Sequence, residues 1–72
     1  MPRVATVLLP SLRSWHTRRG YTVHDLAGLS GLRRNTIARI EAGYPARLGT
    51  AHRLAAALGV ALAYLQRQPP ES

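Results

Sequence analysis

The 72 residues include no cysteine, no phenylalanine, no lysine and only three acids. Without cysteine there is no disulfide framework, no thiolate nucleophile and no cysteine-based zinc site. Without phenylalanine the core must come from eleven leucines, eleven alanines and a few other aromatics, a composition that favours short, closely packed helices. Asp25, Glu41 and Glu71 supply no carboxylate pair for acid–base work once Asp25 serves as a helix cap. His16, His24 and His52 have no metal-ligand spacing, and no glycine-rich phosphate loop follows a strand. The expectation is a protein that is not an enzyme, with no catalytic residue, metal or cofactor. Long apolar runs are also missing. The longest, residues 54–65, is interrupted by Gly59 and falls short of the ~20 residues that span a bilayer. Residues 4–9 are too few for the apolar region of a signal peptide, so a cytoplasmic location with no membrane partner is expected.

At this length the chain forms one domain. All ten of its basic residues are arginine and the net charge is +7, which points to a polyanionic partner that rewards planar, bidentate donors. Gly20, Gly31, Gly43 and Gly59 each follow an apolar-periodic stretch, where a left-handed helix end favours the residue without a Cβ. A first helix is predicted from Pro10 or Ser11 to Arg19, with Leu8, Leu12 and Trp15 on one stripe. Thr22 and Asp25 form a capping box for a second, buried through Leu26 and Leu29. A third runs from Arg33 to Ala42 over Ile37 and Ile40. A loop from Tyr44 to Gly49, with Leu48 as plug, leads to a fourth helix capped by Thr50, with Ala51, Leu54, Ala55 and Leu58 inside. Leu62 to Leu65 gives a short fifth. Residues 4–9 either extend as a strand or lengthen the first helix up to Pro10. The expected division is an arm or strand over 1–9, a domain over 10–66 and a disordered tail over 67–72.

Two short helices around a tight glycine turn describe a helix-turn-helix, and the helix after the turn carries the densest polar side chains in the chain. At 100° per residue Ile37 and Ile40 face one way, while Asn35, Ala38, Arg39 and Ala42 face the other, with Arg34 at the flank. Arginine pairs bidentately with guanine and asparagine with adenine, and the two alanines keep the helix slim enough for a major groove.

Leu12, Leu26-Ala27, Gly31, Thr36-Ile37, Ile40-Glu41, Gly43, Leu54-Ala55 and Leu58-Gly59-Val60 together resemble the lambda repressor and Cro type of helix-turn-helix domain, the XRE family. The resemblance spans Leu12 to Leu65. It implies an all-α, compact five-helix domain whose third helix enters the major groove of double-stranded DNA, usually as a homodimer on a palindromic operator. It also implies base contacts from Arg34, Asn35 and Arg39. Phosphate contacts would come from Thr22 and Val23 at the start of helix two and from Tyr44 and Arg47 after helix three. A repressor that acts by occupying its operator is the expected function.

The sequence departs from the family at several points. Arg33 stands where a Ser or Thr cap is usual, and becomes a further phosphate-binding candidate. His16 replaces the arginine that faces the helix-three acid, so a structural His16–Glu41 pair is expected. Ser30 occupies an ordinarily apolar position and Ala61 that of a cap. Arg13, Arg18 and Arg19 read first as a solvated face, Tyr44 and Tyr64 as half-buried packing, and Trp15 as core. Dimer contacts are expected from Leu62 and Tyr64 or from residues 4–9 as a ribbon across the two-fold. The alternative function is an antitoxin-type module that neutralises a protein partner and binds DNA secondarily.

Overall fold

Thr22 adopts an extended backbone and its hydroxyl accepts from the Asp25 N–H at 3.0 Å, while the Asp25 carboxylate accepts from the Thr22 N–H at 2.9 Å. This reciprocal box starts one of five short helices in a computed structural model that describes residues 5–69. In chain order the elements are β1 (Thr6–Val7), α1 (Leu12–Arg18), α2 (Val23–Ser30), α3 (Arg34–Glu41), β2 (Ala46–Arg47), α4 (Leu48–Leu58) and α5 (Leu62–Gln66). The arrangement is the all-α, five-helix fold expected, with one short antiparallel ladder added, Thr6 opposite Arg47 and Val7 opposite Ala46. Residues 1–4 of the expected arm and 70–72 of the expected tail, Val4 and Glu71 among them, lie outside the described residues.

Each helix contributes one fully enclosed aliphatic side chain: Leu12, Leu26, Ile37, Leu54 and Leu65. A side chain of this size contributes roughly 1.5–3 kcal/mol when it leaves water completely, so these five anchors set the positions of the helices. Ala51, Ala55 and Leu58 complete the inner side of α4 as its 3.6-residue period requires. The α2–α3 turn pivots on Gly31, whose φ of +74° an L side chain adopts only with strain. No described helix is long and apolar enough to cross a membrane.

Several expectations need correction. Leu8 is 58% exposed and Leu9 is the buried residue, because consecutive side chains of an extended segment point to opposite sides. Leu29 is exposed as well: the inner stripe of α2 is Val23, Leu26, Ala27 and Ser30. Ser30 tolerates its half-buried site because its hydroxyl donates to the Leu26 carbonyl at 2.7 Å and accepts from the Leu32 N–H. The fourth helix begins at Leu48, two residues before Thr50, because pairing with β1 holds the chain extended through Arg47, which becomes the N-cap. Ala46, not Leu48, plugs the core there. Trp15 is only partly buried, against the rim of the core.

The ends of the fold meet. Ser11 makes no side-chain cap for α1; its N–H donates to the Leu65 carbonyl at 3.2 Å and its hydroxyl donates to the Arg67 carbonyl.

Candidate nucleic-acid interface

The polar side of α3 follows from the burial of its other side. With Ile37 and Ile40 sunk in the core, Arg34, Asn35, Ala38, Arg39 and Ala42 all stand exposed to solvent. Arg34, Asn35 and Arg39 are therefore brought together on one exposed face, as the spacing requires.

The sequence placed Thr22, Val23, Arg33, Tyr44 and Arg47 around this face, and their settings differ. Thr22 is already engaged in its capping box, while Val23 opens α2, whose first-turn N–H groups lack intrahelical partners. The Thr22 N–H, which donates to the Asp25 carboxylate, and the Thr22 hydroxyl beside it hold that carboxyl below its usual value of 3.8. Arg33 is the N-cap of α3, and its side chain is exposed at the helix start. It lines a depression with Arg34 and Asn35 that α2 closes through His24, Ala27 and Gly28.

At the other end of α3 the Arg39 guanidinium carbon lies 4.7 Å from the centre of the Tyr44 ring, and the Tyr44 N–H donates to the Arg39 carbonyl at 3.0 Å. Tyr44 is exposed rather than half-buried packing, and its ring supports a guanidinium. A groove beside this stack is lined by Thr36, Arg39, Tyr44, Pro45, Arg47 and Thr50. The backbone of Arg47 is held from two sides, by its ladder partner Thr6 and by the bond from the Leu48 N–H to the Ala5 carbonyl at 3.0 Å. The N-terminal strand thus fixes the loop that presents Arg47. His24, Thr36 and Thr50 were missed as lining residues. His24 and Thr36 sit one turn from Gly28 and Ile40 on helical spacing, a signal that was present, whereas Thr50 was hidden by the misplaced start of α4.

Behind the face, α3 is tied to α1. The His16 ring is buried, with Nε2 2.5 Å from Glu41 Oε2 and Nδ1 2.8 Å from the Tyr21 carbonyl. Both ring nitrogens are therefore engaged, one toward α3 and one toward the chain after α1. Arg13 approaches the second Glu41 oxygen at a looser 3.9 Å. His16 and Glu41 thus meet between α1 and α3, on the inner side of both helices. Among the described residues no group of three or more histidine or acidic side chains is placed to hold a metal ion.

Residues 12–65 match the family model described as Helix-turn-helix. Among solved structures, the chain is similar to the crystal structure of a hypothetical transcription factor, NHTF, from Neisseria. The likeness has a TM-score of 0.75 and 30% identity, over 82% of this chain and 67% of that one. None of the curated proteins matches the chain.

Proposed function

Because the chain belongs to the lambda repressor-like, or XRE, helix-turn-helix family, we propose that it represses transcription by seating α3 in the major groove of a palindromic operator as a homodimer. At the coarser level it is a DNA-binding regulator of transcription, a role that family and structural likeness support together. The observation that carries the finer reading is the exposed α3 face, where Arg34, Asn35 and Arg39 stand with small Ala38 and Ala42 between them. Arg34 and Arg39 suit guanine O6 and N7, and Asn35 suits adenine N6 and N7. Arg33, Arg47, Tyr44, Thr22 and the Val23 N–H would hold the flanking phosphates and set the register, without reading sequence. One short helix covers few base pairs, so a second copy about one helical turn away supplies the rest of the operator. Such a protein acts in the cytoplasm, by occlusion and without chemistry.

Selection of bound duplexes from a random pool tests this. The chain should return a two-fold symmetric consensus. Asn35→Ala and Arg39→Ala should each cost about 1–3 kcal/mol on that site and relax one position per half-site. Arg47→Ala should weaken all duplexes alike and flatten the salt dependence. An unchanged consensus from the α3 variants, with a scrambled one from Arg47→Ala, would refute the assignment of α3 as reader.

A further inference from the structure

We infer that the outer side of α1, with α5, is a docking surface for an acidic, extended segment of a partner protein. The inference does not depend on the operator reading, since it concerns a different face of the molecule.

Arg13, Arg18, Arg19 and Arg67, four of the ten arginines, gather here. The guanidinium carbons of Arg18 and Arg19 lie 4.8 and 5.5 Å from the centre of the Trp15 ring, and that of Arg67 lies 4.8 Å from the centre of Tyr64. The two rings meet edge to face, 5.9 Å apart at 64°. Of the described acids, Asp25 is committed to Thr22 and Glu41 to His16, and only Arg13 of the four arginines comes within 4 Å of either, at a loose 3.9 Å from Glu41. A simple solvated face would leave long arginine side chains loose. Here the rings hold them, Arg19 Nε donates to the Leu58 carbonyl at 3.1 Å, and Ser11 pins the backbone of Arg67. A guanidinium lying on a ring keeps its N–H edges for an incoming acceptor, and less entropy is lost when it is used.

The same stacking decides between classes of anion. Single-stranded nucleic acid binds through free aromatic faces, but guanidiniums already lie over these two rings. Duplex DNA is disfavoured by position. Arg19 is tied to the C-terminal end of α4, whereas Arg47 caps its N-terminus, and eleven helical residues separate the two ends by about 16 Å. Beside the stack runs an open groove lined by Pro10, Arg13, Ser14, Thr17, Arg18 and Pro69. Its two hydroxyls and flanking arginines suit an extended chain bearing spaced carboxylates, which guanidinium forks grip in pairs. The protein-binding role set out as the alternative from sequence thereby acquires a location that leaves α3 free.

The test uses the full chain and a synthetic 15-residue peptide of aspartate and glutamate spaced by serine, with its Asn/Gln counterpart as control. Trp15 is the only tryptophan, so its fluorescence reports on this surface. The acidic peptide should change that emission and lose affinity as salt rises, and the neutral peptide should not. Saturating duplex DNA should leave peptide binding within twofold. Arg13→Gln/Arg18→Gln/Arg67→Gln should weaken the peptide at least tenfold while changing duplex binding less than threefold. Circular dichroism verifies the fold, and Arg18→Lys/Arg67→Lys, which keeps charge but removes the stacked fork, should also weaken the peptide. Displacement of the peptide by duplex, indifference to the triple variant, or tighter binding of oligo-dT than of peptide at the same arginines would each overturn the inference.

Discussion

Replacing Glu41 by alanine probes the buried His16–Glu41 contact that ties α1 to α3. The carboxylate sits 2.5 Å from His16 Nε2, with the two side chains only 8% and 10% exposed, so water does little to screen the contact or to replace it. Removing one member of a buried pair costs roughly 3–5 kcal/mol, mostly from the charge or donor left behind. At 0.05–0.15 kcal/mol per residue a 72-residue chain holds about 4–11 kcal/mol in total. The loss is therefore a large share of stability, equivalent to at least ~12 °C in Tm for a domain of this size. Glu41→Gln should cost less, because the amide oxygen still accepts from the imidazole. His16→Ala/Glu41→Ala should cost clearly less than the two single changes added together, with a coupling of about 0.5–3 kcal/mol. Urea unfolding followed by helical circular dichroism measures the native chain and all four variants, provided the slope with urea is unchanged. If Glu41→Ala costs under ~1 kcal/mol, or the double variant equals the sum of the singles, the pair does not lock α1 to α3 and the reasoning fails.

Asp25, held below 3.8 by Thr22, stabilises α2 only while ionised. The advantage of the native chain over Asp25→Asn should be full above 3.8 and vanish as pH falls through the lowered folded value, which paired acid titrations followed by circular dichroism would reveal. Gly31→Ala should cost about 1–2 kcal/mol from backbone strain alone, since a Cβ there would meet only an Arg53 nitrogen at 3.9 Å. A midpoint unchanged in urea would show that the turn relaxes. Tyr44→Phe should preserve the platform under Arg39, while Tyr44→Ala should lose about 0.5–1 kcal/mol of its ordering and blur the base read by that arginine. Duplex selection giving equal consensus sharpness for both variants would show that Tyr44 does not position Arg39.

Most of the α3 face was legible because helical period and glycine punctuation are local: Ile37 and Ile40 inside dictate Asn35 and Arg39 outside. The His16–Glu41 pair, 25 positions apart, came from family resemblance, since no local pattern reveals such a contact. What escaped was set by pairing across the chain. Ala46 and Arg47 read as loop because a two-residue strand has no periodicity to detect, and only its partner at Thr6–Val7 makes it one. That pairing moved the start of α4, and with it the settings of Leu48 and Thr50. Leu8 and Leu9 could not be told apart without knowing whether the segment was extended or helical, because the two choices bury different residues. The Arg39–Tyr44 and Arg18–Trp15 stacks were also hidden, since a side chain's resting place depends on neighbours that spacing alone does not supply.

The bonds from Ser11 to Leu65 and Arg67 also set an order of events during synthesis. A ribosome adds roughly 5–20 residues each second, so about 3–11 s pass between the emergence of Ser11 and that of its partner 54 positions later. Through that interval the first turn of α1 lacks its bonds to the end of the chain, and the core that Leu12 and Leu65 both belong to is incomplete. The seating of α1 is thus completed only when the last short helix has emerged and closed on it.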